Sequence, residues 1–152
     1  MHVSFICTGN ICRSPMAEKV FAEHLRRAGL DTRVRVSSAG TGGWHTGDPA
    51  DPRTEEVLRR NGYEVEHKAR QVGVEHADAD LLVALDAGHQ RALRRLVDHP
   101  ERVVLLRSFD PRAGADLDVP DPYYGNRGGF DTVLAMIEAA MPGLVDWVRQ
   151  RV

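Results

Sequence analysis

The sequence predicts an α/β fold: a four-stranded parallel, doubly wound sheet with helices on both faces and a phosphate-binding loop after the first strand. Apolar runs alternate with helical patterns, which is typical of βαβ units joined by right-handed crossovers. The first run leads through a cysteine-containing loop into a helix. Of the 152 residues, 42% are hydrophobic, which predicts one domain over residues 1–152 with a proper core.

Four apolar runs are the predicted strands. In a doubly wound sheet the ligand lies beyond the carboxyl ends of the strands, where the strand order reverses, commonly beside the first strand. Cys7 ends the first run, so we expect it at the site. The predicted strands are His2–Cys7, Arg33–Ser38, Leu81–Leu85 and Arg102–Leu106.

The first two predicted helices follow from capping signals and apolar spacing. The first begins near Pro15, with Ser14 at the N-cap, and Gly29 supplies its C-terminal stop. The second begins at Asp51-Pro52 and ends at Asn61-Gly62. One face of the first helix carries Ala17, Val20, Phe21, Leu25 and Ala28.

Two further helices are predicted in the second half of the chain. One runs from about Ala87 to Val97, with Leu93 and Leu96 facing inward. The last begins at about Phe130, and Pro142 is predicted to kink it. Its apolar face carries Val133, Leu134, Ile137, Met141, Val145 and Val148.

Composition argues against several classes of partner. The formal charge is −2, and the basic residues are scattered among nearly as many acids, so no nucleic-acid surface is expected. No stretch has the ~20 apolar residues of a membrane span, and the N-terminus lacks signal-peptide features. We therefore expect a cytoplasmic monomer that binds no membrane, with export without a signal peptide left open.

Residues Cys7–Ser14 have the features of a phosphate-binding loop that carries its own nucleophile. Between a strand and a helix, backbone N–H groups converge on one point, and the helix N-terminus adds partial positive charge. This field favours a thiolate at Cys7, while Arg13 supplies a planar fork for two phosphoryl oxygens. The alternative, a buried apolar cysteine and a surface arginine, is disfavoured by Gly9 and Pro15. The other loop residues are Thr8, Gly9, Asn10, Ile11, Cys12 and Ser14.

The two cysteines of the chain, Cys7 and Cys12, lie in the same loop. A disulfide between cysteines only five residues apart would not link distant parts of a domain, so no structural disulfide is expected. Metal-ligand spacing is lacking, and neither a metal nor a cofactor is predicted. A reversible disulfide would make Cys12 a redox partner of Cys7, and loop packing is the alternative role.

Two long irregular segments, Ala39–Ala50 and Phe109–Gly129, have a length that is usually functional in a compact domain. The second carries Asp121 between two prolines, and a stiff loop suits a general acid for a leaving oxygen. An ordinary turn aspartate is the alternative. Asp116 and Asp118 lie nearby but lack the stiffening prolines.

Aromatic residues in these segments predict the walls of a slot for a phenyl ring. A lone tryptophan is usually in the core, but Trp44 stands among glycines and polar residues. His67 is, on sequence alone, a surface residue. The predicted walls are Ile11, Trp44, His45, Tyr123 and Tyr124.

Together these segments resemble the low-molecular-weight protein tyrosine phosphatase family over essentially the whole chain. Within the family the chain is similar to actinobacterial members, through Ser38–Gly42, Trp44-His45 and Leu81–Asp86. The segments that carry the family resemblance are Cys7–Pro15, the region from Ser38 to Trp44, Asp51-Pro52-Arg53, His67-Lys68-Ala69-Arg70-Gln71 and Asp121–Gly125.

The resemblance implies a protein tyrosine phosphatase that forms a cysteinyl-phosphate intermediate and needs no cofactor. Cys7 would be the nucleophile, Arg13 the phosphate ligand, and Asp121 the general acid and later the base. The implied substrates are phosphotyrosine proteins, with a bacterial tyrosine kinase or host signalling proteins as candidates. The family often has asparagine where this chain has His89, so contacts there are not carried over. A network that shapes the loop is implied for Asn10, Ser14, Ser38 and His67.

Three other functions fit the sequence less well. Arsenate reductases need further thiols, and no cysteine follows Cys12. Arginine phosphatases of this family typically have threonine at the position of Ile11, whose apolar side chain suits an aromatic ester better. A phosphotyrosine-binding module or a redox sensor without catalysis would lose Cys7 or Asp121, and both are present.

Overall fold

The sheet has the predicted doubly wound topology. The computed structural model describes residues 1–152, apart from the side chain of Arg127. Among these residues the strands are β1 (His2–Cys7), β2 (Arg35–Gly40), β3 (Leu81–Ala84) and β4 (Val103–Leu105). All pairings are parallel, in the order β2-β1-β3-β4. The strand order therefore reverses beside β1, and the predicted α/β class is confirmed.

Helices cover both faces of the sheet. Alternation along β1 places Phe5 in the larger apolar core and Ile6 in the smaller one. The helices are α1 (Arg13–Arg27), α2 (Pro52–Arg60), α3 (Val74–Ala77), α4 (Ala87–Arg94) and α5 (Arg127–Arg149). Helices α1, α2 and α5 contribute to the larger core, and α4 contributes Leu93 to the smaller one. Short 3₁₀ turns over Pro100–Arg102 and Leu106–Phe109 flank β4.

The C-terminal helix α5 is the main apolar element. The six residues predicted for its inner face, from Val133 to Val148, are all buried. By length and composition Gly128–Arg149 would also suffice to cross a membrane, but here its apolar face packs against α1 and completes the larger core. The helix is unbroken at Pro142, and the predicted kink there stays a prediction.

The termini of the helices confirm most of the capping signals. Gly29 has φ +72°, and its amide donates to the Arg26 carbonyl, which ends α1. The Asp51 side chain accepts from the Arg53 amide and caps α2. Helix α5 begins at residue 127, three residues before the prediction, because the Asn126 side chain accepts from the Gly129 amide.

Two expectations about helix ends are wrong. Ser14 is not the N-cap, because α1 already begins at Arg13 and the Ser14 hydroxyl contacts the Cys7 sulfur instead. Leu96 does not face inward: it is 64% exposed, because α4 ends at Arg94 and the chain turns away.

Candidate active site

The loop between β1 and α1 lies at the carboxyl edge of the sheet, where the topology predicts a site. It forms the floor of a cleft of about 330 Å³. Both long irregular segments reach this cleft, as their length suggested. The lining residues are Cys7, Thr8, Gly9, Ile11, Cys12, Arg13, Trp44, His45, Asp121, Tyr123 and Tyr124.

The start of the loop is held closely against the end of β2. The Cys7 and Thr8 carbonyls accept from the amides of Thr41 and Gly42, at 2.8 and 3.0 Å. A Cβ at Gly40 would lie 2.6 Å from the Thr8 carbonyl oxygen, so a side chain there would push the loop away. Glycine at position 40 therefore permits the close approach of the start of the loop to the end of β2.

The Cys7 sulfur is buried and lies 2.9 Å from the Ser14 hydroxyl. The Asn10 amide nitrogen donates to that same hydroxyl at 2.8 Å. Because Ser14 Oγ already accepts this bond, its own proton is free for Cys7; the Ala39 carbonyl, at 3.5 Å, is a poorer acceptor. Ser14 thus stabilises negative charge on Cys7 Sγ.

Asn10 holds the middle of the loop in a strained conformation, with φ +58°. Its Nδ2 also donates to Ser38 Oγ at 2.9 Å, and its Oδ1 accepts from the Arg70 amide at 2.9 Å. His67 Nε2 donates to the Asn10 carbonyl at 2.7 Å. The structure therefore brings Asn10, Ser14, Ser38 and His67 together in one hydrogen-bond network.

The network has two further members that the sequence did not reveal. Arg70 contributes only its backbone amide, and Glu18 accepts from Ser38 Oγ at 2.5 Å. His67 is partly buried rather than a surface residue, and burial lowers the pKa of its imidazole. The neutral ring keeps one nitrogen protonated for the Asn10 carbonyl.

Arg13 is buried, with only 3% of its surface exposed. Its Nη1 donates to Asp86 Oδ2 and to the Val119 carbonyl, each at 2.9 Å. Its Nη2 lies 3.4 Å from Thr8 Oγ1. Burial alone would raise the pKa of Asp86, but the His89 amide and Arg13 hold that pKa below its ordinary value. Asp86 is therefore an anionic anchor for the guanidinium, and sequence reasoning did not assign it to the site.

Asp121 lies across the cleft from the loop. Its Oδ2 is 3.7 Å from Arg13 Nη2, and its Oδ1 accepts from the Tyr123 amide in a local turn. The two nearby acidic residues make other contacts: the Asp118 carboxylate accepts from the Ala87 amide, and the Asp116 backbone carbonyl accepts from Arg107. Among these three carboxylates, Asp121 alone lines the cleft.

Exposed aromatic rings surround the mouth of the cleft. Trp44 is 75% exposed and Tyr124 is 90% exposed. The rings of Tyr123 and Tyr124 meet edge to face, with centroids 5.0 Å apart. Such large exposed apolar surfaces mark contact sites for ligands. The predicted walls, Ile11 and His45 included, are all in this cleft.

A side chain of α2 ties the Asp121 segment to the loop. Arg53 Nη2 donates to the Tyr123 carbonyl at 3.0 Å, and its guanidinium also pairs with Asp51. The Asp51 amide in turn donates to the Ile11 carbonyl at 2.9 Å. On the sequence alone, Arg53 belongs to one of the segments that carry the family resemblance and has no assigned role.

Cys12 is a free, buried thiol. Burial, together with the charge of Asp51, raises the pKa of Cys12 to about 12. It is therefore protonated at neutral pH. Within the described side chains no group of three His, Cys, Asp or Glu residues has the geometry of a metal site.

A cysteine and an arginine in one loop at a helix N-terminus, with a carboxylate opposite, define the class of cysteine-dependent phosphatases. Residues 2–152 match the family described as low molecular weight phosphotyrosine protein phosphatase. The chain belongs to that family.

Individual proteins agree with this assignment. The chain is 60% identical to low molecular weight protein-tyrosine phosphatase A of Mycobacterium tuberculosis, over 99% of this chain and 93% of that protein. It is 58% identical to the low molecular weight protein-tyrosine-phosphatase of Streptomyces coelicolor, over 99% and 94%. The resemblance to actinobacterial members is thereby confirmed. The crystal structure of a protein tyrosine phosphatase from Entamoeba histolytica superposes with a TM-score of 0.94 at 31% identity, covering 99% of this chain and 97% of that one.

Proposed function

We propose that this protein tyrosine phosphatase hydrolyses phosphotyrosine through a cysteinyl-phosphate, with Cys7 as nucleophile, Arg13 as phosphate ligand and Asp121 as general acid and then base. One observation carries the proposal: these three side chains line a single cleft, with the sulfur at its floor and the carboxylate opposite. The remaining contacts of the site are those that such a reaction needs.

In the first step the Cys7 thiolate attacks phosphorus in line with the bond to the phenolic oxygen. Arg13 stabilises the negative charge on the equatorial oxygens. Both protons of its Nη1 are bound by Asp86 and the Val119 carbonyl, so the opposite edge of the guanidinium is the one that faces phosphate. Asp121 gives its proton to the departing phenolate. The products are tyrosine and phosphate bound to Cys7.

In the second step Asp121, now a carboxylate, takes a proton from water, which attacks the phosphorus. The sulfur leaves as a thiolate. The Ser14 hydroxyl donates a hydrogen bond to that sulfur at 2.9 Å, so it stabilises the leaving thiolate here as it stabilises the nucleophile in the first step. Because this neutral donor is already oriented toward the sulfur, the site does not have to reorganise when charge develops there.

The aromatic rings at the mouth of the cleft favour phosphotyrosine as substrate over phosphoesters with shorter side chains, such as phosphoserine. A substrate must bridge the distance from the exposed rings of Trp44 and Tyr124 to a buried sulfur, and a phenyl ring does so with apolar contacts on both sides. Phosphotyrosine proteins are the proposed partners; a bacterial tyrosine kinase and host signalling proteins are both candidates. We place the enzyme in the cytoplasm as a monomer.

We also propose that the site is redox-sensitive. Peroxide would oxidise the Cys7 thiolate to a sulfenic acid, and Cys12 Sγ would then attack that sulfur, forming a disulfide and releasing water. Since the pKa of Cys12 is raised to about 12, this second step is expected to be slow at neutral pH. Cys12→Ser should stay active but recover poorly with dithiothreitol after peroxide; recovery equal to wild type would leave Cys12 a packing residue.

Turnover of para-nitrophenyl phosphate in the presence of a chelator tests the enzymatic proposal. Cys7→Ser should abolish turnover and retain oxyanion binding, because serine has a much higher pKa than cysteine and is a poor nucleophile in the same cradle. Residual turnover at a tenth of the wild-type rate, with contamination excluded, would remove Cys7 from its role.

A further inference from the structure

His89 lies beside the phosphate loop but has no part in the reaction described above. It is buried at the start of α4. Its Nε2 is 2.8 Å from Thr8 Oγ1, and its Nδ1 is 3.2 Å from Asp86 Oδ1. Thr8 and Asp86 are also the two side chains that accept hydrogen bonds from the Arg13 guanidinium. Arg13, Thr8, His89 and Asp86 therefore form a closed ring of polar contacts.

The direction of each bond in this ring follows from the groups themselves. Arg13 can only donate, so Thr8 Oγ1 accepts from it, and the Thr8 hydroxyl proton is available for His89 Nε2. Asp86 decides the tautomer: because a carboxylate only accepts, we place the ring proton on Nδ1, and His89 Nε2 then accepts from the Thr8 hydroxyl. That proton faces Asp86 Oδ1, whereas the other tautomer would point a lone pair at a carboxylate in a buried site.

The charge state agrees with this assignment. Burial lowers the pKa of His89 to about 4, assisted by Arg13 and opposed by Asp86, Asp121 and Asp118. The imidazole is therefore neutral at neutral pH. His89 Nδ1 is buried without a well-aligned partner, although Asp86 Oδ1 lies 3.2 Å away.

We propose that His89 is a positioning residue that fixes the plane of the Arg13 guanidinium through Thr8 on one side and Asp86 on the other. The inference rests on the proposed role of Arg13 as phosphate ligand. Nη1 is held by Asp86, and the Thr8 hydroxyl, itself fixed by His89, restrains Nη2. The fork thus presents its free edge in one orientation, which matters most when the phosphoryl oxygens become planar in the transition state.

Two substitutions separate the halves of this role. Asparagine places its amide where Nδ1 lies, so His89→Asn retains a donor for Asp86 and loses the contact with Thr8. Glutamine reaches further, so the Oε1 of His89→Gln can accept from the Thr8 hydroxyl. His89→Ala removes both contacts. His76→Asn is the matched control, because His76 is another buried histidine, remote from the cleft, whose Nδ1 accepts from the Gly73 amide.

The experiment measures kcat and KM for an aryl phosphate, and inhibition by phosphate and by vanadate, whose five-coordinate adduct mimics the transition state. We expect His89→Ala to lower kcat by about ten-fold, the order of one hydrogen bond to a charged network. Vanadate inhibition should weaken more than phosphate inhibition, and His89→Gln should recover more activity than His89→Asn. His76→Asn should match wild type in all four quantities.

Several results would overturn the inference. Wild-type kcat in His89→Ala, equal losses in the glutamine and alanine variants, or equal weakening of phosphate and vanadate would each exclude a positioning role. Nitrogen-15 NMR of labelled histidine gives a readout independent of turnover: the Nδ1–H tautomer is expected at neutral pH, and the Nε2–H tautomer would contradict the ring. A failure of Cys7 as nucleophile would appear in Cys7→Ser turnover and leave this NMR result unchanged.

Discussion

At the scale of single residues, the site depends on which N–H groups of Arg13 remain available to bind phosphate. Of its five N–H groups, two are bound by Asp86 and the Val119 carbonyl, and a third points to Thr8. Nε–H and one Nη2–H remain, which is the pair that binds two oxygens of one phosphoryl group. A lysine at position 13 would keep the charge and lose this shape.

The proton transfer assigned to Asp121 is testable through the leaving group. We expect Asp121→Asn to slow hydrolysis of phosphotyrosine by roughly 10²–10⁴, the usual contribution of a general acid. Because para-nitrophenolate leaves without much help, its phosphate ester should be slowed less. The comparison is made on kcat/KM, which reports the steps up to release of the phenol and excludes the later hydrolysis of the intermediate; equal slowing of kcat/KM for the two substrates would argue against the acid role.

The catalytic residues could be predicted from the sequence more readily than the residues that hydrogen-bond to them. Cys7, Arg13 and Asp121 are distinguished by spacing and by flanking glycines and prolines, and the cleft contains all three. Asp86 and Glu18 were missed because each joins the site through a side-chain contact with a residue distant in sequence, Asp86 with Arg13 and Glu18 with Ser38. Nothing in the local sequence marks such long-range pairs.

At the scale of elements, α2 connects the two halves of the cleft. Its Arg53 donates to the Tyr123 carbonyl, stacks on the Phe130 ring at 4.6 Å and pairs with Asp51. The Asp51 amide binds the Ile11 carbonyl. The segment with Asp121 is thereby held at a fixed distance from the loop, which the flanking prolines alone would not ensure.

Substitution of Arg53 should loosen the Asp121 segment without touching the nucleophile. We expect Arg53→Met to lower kcat for phosphotyrosine by about ten-fold, the cost of misplacing a catalytic group by a fraction of an ångström, with a smaller loss for para-nitrophenyl phosphate. Arg60→Met is the control on the same helix, since Arg60 pairs with exposed Asp131. Similar rates for the two variants would mean that Arg53 does not position the acid.

The aromatic mouth should determine substrate class. We expect Trp44→Ala to lower kcat/KM for phosphotyrosine peptides with inorganic phosphate affinity unchanged, because phosphate contacts the floor and not the rim. Competition assays with peptides and phosphate give both quantities. If the wild type hydrolysed phosphoserine and phosphotyrosine peptides equally well, the aromatic walls would not set specificity.

Helix and strand ends were the least predictable features of the fold. Ser14 has the composition of an N-cap, yet its hydroxyl is used by the active site, and α1 starts one residue earlier than Ser14. Leu96 continues the apolar spacing of α4, but the helix has ended before it. In both cases tertiary structure overrides a local signal.

At the scale of the whole molecule, buried and partly buried histidines couple stability to pH. The pKa values of His2, His67, His76 and His89 are all lowered from 6.5, in each case chiefly by burial. The unfolded chain therefore binds protons that the folded protein excludes. The free energy of unfolding should rise with pH between about 4 and 6.5 and level off above that range.

Thermal unfolding across this pH range tests the coupling. We expect Tm to fall as the pH is lowered from 6.5 toward 4, and His89→Gln to flatten the slope because one titrating group is removed. Asp51 and Asp86, whose pKa values are lowered, act in the same direction only at lower pH. A Tm that rose on acidification through this window would contradict the neutral, buried histidines.

The covalent intermediate is the central claim, and mass spectrometry of an acid-quenched reaction tests it most directly. Asp121→Asn, mixed with para-nitrophenyl phosphate, should form the intermediate readily and hydrolyse it slowly, since the good leaving group needs no acid whereas water still needs a base. The account predicts one phosphoryl group on Cys7, absent from the Cys7→Ser variant. A phosphoryl group on Cys12, or rapid turnover with no adduct at any quench time, would contradict it.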